Sequence, residues 1–442
     1  MTYQCQTCGY VSRKWLGKCP DCNEWNTFIQ EDSGIKSTSR KGSEKALSLP
    51  SIKLEKKLTK SCKLKEFDRV LGNGAVKGQV ILLGGEPGIG KSTLLTQILN
   101  NLATSDKKGL YLSAEESPAQ VKMRTERLSI KNENFFVLPE NNISKALEKI
   151  RQLKPAYIVV DSIQTVYSDT SASIPGSISQ IKECASLLIE YVKFEDAVLF
   201  LIGHVTKEGA IAGPKVLEHM VDTVLYFESE TSTDYRIIRS LKNRFGKVNE
   251  IAIFEMTSEG LKEVSDPTNI FIENRVKQNI GSVIFPLVEG SRIFLVEIQA
   301  LVSNSSYSMP RRNAQGIDPN RINLLVTVIE KVMGVNLYGN DIFINVPGAI
   351  KINDPAVDLA VVASVLSSFL NKELDLFLAC FGEVGLNGEV RKASFWKERI
   401  KEVSRMGFKK IIMHKSEEGI NDFEKVKLFP IGNIADIPYL IG

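Results

Sequence analysis

The sequence predicts an α/β fold: a mostly parallel sheet covered on both faces by helices, preceded by a small cysteine-rich module and followed by a separate α+β domain. Three observations predict it. Between about 60 and 270, continuous apolar runs at 80–83, 110–112, 157–160, 198–202 and 224–227 alternate with amphipathic stretches. Apolar runs without a period of two are strands buried on both faces, as in a parallel sheet. The first run leads into Gly85-Glu86-Pro87-Gly88-Ile89-Gly90-Lys91-Ser92-Thr93, after which a helical pattern covers 93–102. Four of the seven cysteines fall within the first 22 residues.

A chain of 442 residues suggests two or three domains at roughly 150 residues each. Its 43% hydrophobic and 24% charged residues are ordinary for a soluble protein that buries sizeable cores. A net charge of +4 does not announce a nucleic-acid binder, so any basic surface is local. Residues 1–10 lack the apolar core of a signal peptide, and no apolar run approaches the ~20 residues of a membrane helix. The expected compartment is the cytoplasm, with no membrane contact.

Cys5-x2-Cys8 and Cys19-x2-Cys22 are two pairs separated by ten residues. Each pair suits a tight knuckle turn, helped by Gly9 and Pro20, and four thiolates complete a closed tetrahedral Zn²⁺ site. A module of about 28 residues cannot fold on apolar burial alone, so the metal is expected to supply its folding energy. Cys62, Cys184 and Cys380 stand alone, which is not a disulfide framework.

The stretch 85–93 matches GxxxxGK[ST] between a strand and a helix, the context that a phosphate-binding loop requires. Its glycines let backbone N–H groups wrap the phosphates of ATP, and the helix N-terminus adds positive potential. Lys91 is expected on the β- and γ-phosphates and the Ser92 hydroxyl on Mg²⁺. Asp161, closing the run 157–160, is expected to supply the second Mg²⁺ contact. Hydrolysis also needs a group to deprotonate the attacking water. The run 110–112 leads into Ser113-Ala114-Glu115-Glu116, read as the end of a strand beside the P-loop strand. Glu115 is the preferred base and Glu116 the alternative.

The remaining chain divides further. Residues 29–59 are polar and Ser/Lys-rich, a flexible linker. Strands are expected at 236–241 and 250–256, joined by a loop at 242–249. From 273 onward, a strand at 292–302 and helices at 321–333, 355–370 and 395–406 form the α+β domain. Asp354 and Pro355 mark the start of the second helix, and Gly407 the end of the third. The expected domains are therefore 1–28, 29–59, 60–272 and 273–442.

These features resemble the RecA-like ATPases and, more closely, the bacterial RadA (Sms) family. The four-cysteine knuckle, Phe67-Asp68-Arg69-Val70-Leu71-Gly72, the P-loop, Tyr111-Leu112-Ser113-Ala114-Glu115-Glu116-Ser117 and the family's own Lys242-Asn243-Arg244-Phe245-Gly246 carry the resemblance. It implies a RecA-like core, a ring, and work on single-stranded and branched DNA in recombination alongside the recombinase RecA. It also implies a catalytic role for Glu115 and a γ-phosphate-sensing role for His204. Lys242 and Arg244 lie two apart on a loop that does not easily fold back onto its own P-loop. The resemblance implies a catalytic role for both Lys242 and Arg244, a guanidinium reaching a neighbour's ATP acting as an arginine finger; a solvated basic hairpin tip is the alternative. Loops at 168–179 and 205–216, the latter with Lys207 and Lys215, would face a central channel and touch phosphates.

The C-terminal part, clearest over 341–442, resembles the proteolytic domain of Lon, including Gly382-Glu383-Val384-Gly385-Leu386-Asn387-Gly388-Glu389-Val390. Where Lon-type peptidases carry a serine, this chain reads Pro355-Ala356-Val357-Asp358. Ala356 has no hydroxyl, and Lys397 near the expected lysine position cannot run acyl transfer alone. Arg311, Arg312, Arg321, Arg391, Lys392, Lys397, Arg399 and Lys401 are expected to line a DNA surface. The whole predicts a DNA-dependent ATPase and branch-migration helicase, working as a homohexamer. The rivals are an ATP-dependent Lon-like protease, which casein degradation would reveal, and an ATP-binding assembly switch, which would lack DNA-stimulated turnover.

Overall fold

The computed structural model describes residues 2–5, 11–12, 14–20, 24–31, 59–170, 173–204, 214–229, 234–264, 280–306, 310–347, 350–415, 423 and 425–439. The chain forms two compact units, Met1–Val264 and Ser265–Gly442. The expected boundary at 272/273 and residues 32–58 of the expected linker lie outside the described residues.

The N-terminal module is a three-stranded antiparallel ribbon, with Thr2–Cys5 between Val11–Ser12 and Phe28–Glu31. The last strand runs past the expected limit at 28 because Thr2–Cys5 pairs with it residue for residue, Thr2 against Glu31 and Cys5 against Phe28.

The rest of the first unit is built on a nine-stranded sheet. In chain order its elements are α1 (Lys65–Leu71), β1 (Val80–Gly85), α2 (Lys91–Leu102), β2 (Gly109–Ser113), α3 (Pro118–Arg127), β3 (Phe135–Pro139), α4 (Ile143–Leu153) and β4 (Tyr157–Asp161). They continue with α5 (Ile178–Glu195), β5 (Val198–His204), α6 (Pro214–Glu218), β6 (Thr223–Ser229), β7 (Tyr235–Asn243), β8 (Ile251–Thr257) and β9 (Gly260–Glu263). The strand order is β9-β8-β7-β6-β1-β5-β4-β2-β3. The six strands from β6 to β3 are parallel, and β7, β8 and β9 extend the sheet antiparallel. β1, β2 and β4 are buried along their whole length, as unbroken apolar runs require. One core layer, with Phe67, Leu95, Ile98, Phe200 and Phe254, covers one face; a second, with Leu147, Ile150, Ile181 and Leu188, covers the other. Local signals start the helices: Ser117 forms a capping box with Gln120 ahead of Pro118, and Asn142 Oδ1 accepts from the N–H groups of Ser144 and Lys145.

The sheet order corrects one expectation. β1 stands between β6 and β5, and β4 stands beyond β5; β2, which leads to Glu115, is third from the P-loop strand. The helical crossovers deliver strands to positions that chain order does not reveal.

The second unit holds a seven-stranded sheet. Its elements are β10 (Ser282–Glu289), β11 (Arg292–Asn304), β12 (Arg312–Gln315), α7 (Pro319–Met333), β13 (Asn340–Asn345), α8 (Asp358–Leu370), β14 (Leu378–Phe381), α9 (Trp396–Arg405), β15 (Lys410–His414) and β16 (Lys427–Ile431). The order is β12-β13-β11-β10-β14-β15-β16. The expected helix at 355–370 opens with a tight 3-10 turn, Pro355–Val357, because Asp354 Oδ1 accepts from Ala356 N–H at 3.0 Å.

Of the arginines expected on a DNA surface, Arg399 is internal and Arg321 is half-buried. Arg399 is fully buried: it pairs with Asp354 at 2.5 Å, donates to Pro286 O and lies against Phe285 and Phe381. Arg321 grips the buried Asp358 with two nitrogens and also donates to Val384 O at 3.0 Å. Each cation satisfies a carboxylate withdrawn from water, and the fully buried Arg399 is not available to a phosphate. Arg311 forms an ion pair with Asp341 at 2.9 Å. Arg391, Lys392, Lys397 and Lys401 are exposed, with Lys392 and Lys397 beside the Trp396 ring. Among the described residues, no helix is long and apolar enough to cross a membrane.

Candidate functional site

The P-loop leaves β1 at Gly85, which is in register with His204 of β5 and Phe227 of β6. Glu86, Pro87 and Gly88 are exposed, Ile89 is buried, and Gly90, Ser92 and Thr93 are half-buried. Gly88 and Gly90 adopt φ of +78° and +117°, open only to glycine without strain. A Cβ on Gly90 would also come within 2.6 Å of Met256 Cε, so β8 packs tightly on the loop. The carbonyl of Ile89 accepts from Arg236 Nε of β7 at 3.3 Å.

Lys91 opens α2 and is buried; its ammonium donates to Gly85 O at 2.9 Å and Glu86 O at 2.7 Å. Burial lowers its pKa to about 8, against the attraction of Asp161, Glu115 and Glu86. A phosphate would favour the ammonium form, so the bound pKa lies above that of the free protein. Nucleotide affinity is therefore expected to be full below pH 8 and to fall as pH rises through it, by up to about tenfold per pH unit. Titrating a fluorescent nucleotide between pH 7 and 9.5 checks this; a flat profile refutes it.

Asp161 ends β4 and is buried, accepting from the buried Tyr111 hydroxyl. Glu115 turns to the same place. Ligand atoms of Glu115, Asp161 and His204 all lie within 4.8 Å of one another. His204 Nε2 is 3.6 Å from Glu115 Oε1, which also accepts from Ser162 Oγ. The His204 contact, with help from Ser162 and Lys91 and against partial burial, holds the Glu115 carboxyl below its ordinary range. Glu115 is thus ionised at neutral pH, as a proton acceptor must be. Glu116 points elsewhere, forming an ion pair with the buried Arg124 of α3. Arg124 also donates to Tyr111 Oη at 2.9 Å and lies 3.9 Å from Asp161.

No motif assigns Arg124, Ser162 or Arg236 to the site, and Tyr111 enters the sequence reading only as part of 111–117. Arg124 had a signal: Val121, Arg124 and Thr125 form one buried face at helical spacing. Ser92, half-buried in the first turn of α2, and buried Asp161 are oxygen donors suited to Mg²⁺, which supplies charge neutralisation on the β- and γ-phosphates when bound.

The pentapeptide lies at the other edge of the sheet. Thr223 pairs with Ile81 on one side and Asn243 on the other, whereas Gly85 pairs with Phe227. Four residues of extended strand separate Ile81 from Gly85, roughly 13 Å. Lys242 and Asn243 belong to β7 rather than to the expected loop. Lys242 Nζ donates to Glu218 O at 2.6 Å and Val221 O at 2.9 Å. The Arg244 side chain is 57% exposed, with Nη1 3.4 Å from Asp222 Oδ1. Gly246 passes so close to Gly72 that a Cβ on it would meet Gly72 Cα at 2.7 Å. Asn243 Nδ2 donates to Val70 O at 3.1 Å, so the pentapeptide packs on the end of α1.

In the ribbon, Cys5 and Cys19 are fully buried in one small cluster with Phe28, against which Tyr3 and Leu16 pack. Cys5 Sγ is 3.1 Å from Thr27 Oγ1. Cys8 and Cys22 lie outside the described residues. Two distant cysteines in so small a core fit a thiolate-bound cation, whose binding would supply folding energy. Purified without chelator, the chain is expected to carry one Zn²⁺ per subunit and the Cys5→Ala chain none, by atomic absorption; metal-free wild-type protein would refute this.

Fold and site together define a P-loop ATPase of the RecA-like class, joined to a zinc ribbon and a Lon-type C-terminal domain. Family descriptions match in the same order: a rubredoxin metal-binding domain over 3–30, the KaiC ATPase over 61–136, and the Lon protease (S16) C-terminal proteolytic domain over 328–428. Proteins named DNA repair protein RadA match nearly end to end. That of Bacillus subtilis strain 168 is 45% identical over 98% of this chain and 96% of its own. That of Aquifex aeolicus strain VF5 is 46% identical over 98% and 97%, and that of Listeria monocytogenes is 45% identical over 94% and 92%. The crystal structure of a KaiC-like protein from Pyrococcus horikoshii OT3 aligns at a TM-score of 0.40 and 17% identity, over 47% of this chain and 98% of its own. The chain belongs to the RadA family.

Proposed function

We propose that this chain is a DNA-dependent ATPase that assembles into a ring, a homohexamer. In this reading it drives branch migration on single-stranded and branched DNA during recombination and repair, alongside the recombinase RecA. The observation that carries the reading is the convergence of Lys91, Asp161, Glu115 and His204 beside the P-loop, with Arg244 exposed at the far edge of the sheet. The names of the relatives support the repair context.

Lys91 leaves its carbonyl partners for the β- and γ-phosphates. Ser92 and Asp161 would hold Mg²⁺, which would neutralise charge on the phosphates. Glu115 takes a proton from the water that attacks the γ-phosphorus, the bond to the β-phosphate oxygen breaks, and ADP leaves. His204 senses the γ-phosphate through its contact with Glu115. Arg244 serves the ATP of a neighbouring subunit, and Lys242 braces the strand from which it projects. Segment 205–216, of which 205–213 lies outside the described residues, and the loop 168–179 supply DNA contacts; Gln180 and Glu183 of α5 anchor the latter through Ser168, Thr170 and Ser173.

In this reading the C-terminal unit is a scaffold. Ala356 is buried and offers no nucleophile, and Asp358 beside it is spent on Arg321. The test is ATP turnover by the full chain with and without single-stranded DNA. Stimulation is expected; equal rates would favour the assembly switch.

A further inference from the structure

Asp222, the residue before β6, is 4% exposed. Its backbone N–H donates to Val80 O at 3.0 Å, and its Oδ2 accepts from Val80 N–H at 3.0 Å. Oδ2 also accepts from Lys193 Nζ of α5 at 2.6 Å. On its other side, the carbonyl of Asp222 accepts from Arg244 N–H at 3.1 Å, and Oδ1 lies 3.4 Å from Arg244 Nη1. Val80 begins β1, the strand that ends in the P-loop. One buried residue therefore anchors the subunit's own P-loop strand and the arginine that leaves the opposite edge.

The two cations on this carboxylate are held differently. Lys193 makes the short contact and neutralises a charge withdrawn from water. Arg244 is fixed at its backbone, but its guanidinium makes one long contact and is mostly exposed, an arrangement that holds a cation weakly. Its head can exchange this carboxylate for a phosphate while its base stays in register with β1. We infer that Asp222, with Lys193 as its counter-charge, is a positioning residue that presents Arg244 to a neighbour's ATP and ties that presentation to the subunit's own P-loop strand. This rests on the trans role of Arg244.

The test is complementation between full-length variants. Asp222→Asn keeps size and an oxygen for Val80 N–H but loses the charge. It is expected to lower ATP turnover at least about tenfold while nucleotide affinity stays within about twofold, since an arginine finger acts mainly on transition-state charge. Mixed with Lys91→Ala subunits, it should regain activity, because its intact P-loops meet well-placed arginines. Mixed with Arg244→Ala subunits, it should regain none, because neither partner presents an arginine. Lys193→Met, which leaves Asp222 to hold Arg244 more tightly, should show the same pattern and carries the test if Asp222→Asn does not fold. Unchanged turnover in both variants, the reverse pattern, or recovery in neither mixture overturns the inference. The control mixture of Lys91→Ala with Arg244→Ala separates the two readings. If the control recovers and the Asp222 pattern fails, only the positioning role falls; if the control stays inactive in assemblies that co-purify through two different affinity tags, and so contain both variants, the trans role falls and takes this inference with it.

Discussion

Glu115→Gln is expected to leave nucleotide binding nearly intact and to slow turnover by about 10²-fold or more, the usual loss when a general base is removed. The amide keeps the size of the side chain and an oxygen for Ser162 and His204, so the pocket retains its shape. What disappears is a carboxylate that His204, Ser162 and Lys91 keep ionised. Glu116→Gln tests the neighbouring carboxylate. Its partner is Arg124, not the phosphate site, so its loss disturbs the support of Asp161 through Tyr111 rather than proton transfer, and the expected defect is smaller. Lys91→Ala should weaken binding as well as turnover, because the ammonium contacts phosphates in ground and transition states alike. Measuring nucleotide affinity and single-turnover hydrolysis for all three variants separates these roles. A larger hydrolysis defect in Glu116→Gln than in Glu115→Gln would move the base by one residue.

The legible parts of this site were those set by local chain chemistry. A glycine loop between strand and helix needs no tertiary information, and an aspartate after four buried apolar residues announces a strand end. The order of the strands was not legible: β2 follows the P-loop helix in sequence, yet β5 and β4 stand between it and β1. Glu115 still reaches the site because the C-terminal ends of parallel strands share one edge. The second unit shows a different failure. Residue type alone places Arg399 on the surface, and the structure buries it. In α9 the buried positions Trp396, Arg399, Ile400 and Val403 follow helical spacing, so periodicity placed Arg399 inside whatever its charge. Its partner, Asp354, comes from 45 residues earlier, a pairing that one sequence does not reveal. β13 and β16 are only partly apolar, which hides them in a single sequence, whereas β3, Phe135–Pro139, is an unbroken apolar run and was legible.

Arg244→Ala is expected to reduce turnover by about 10³-fold or more, the range of an arginine finger, while nucleotide affinity barely changes. The geometry argues for action on another subunit. Asn243 pairs with Thr223, which pairs with Ile81 at the start of β1, whereas the P-loop begins at the other end of that strand. A side chain leaving β7 beyond Asn243 starts roughly 13 Å or more from Gly85 along the strand direction. Bending back is opposed by the Arg244 N–H bond to Asp222 O and by the close passage of Gly246 over Gly72. Arg244 therefore stands at the far end of β1 from the P-loop of its own chain. Lys242 differs from Arg244 in being tied to the carbonyls of Glu218 and Val221, and burial lowers its pKa. Lys242→Ala should accordingly cost less turnover than Arg244→Ala. Steady-state rates at saturating ATP, set beside equilibrium nucleotide affinities, decide the matter: an Arg244→Ala chain that loses affinity in proportion to rate would place the arginine in ground-state binding. One that hydrolyses ATP at the wild-type rate would return it to the role of a solvated hairpin cation.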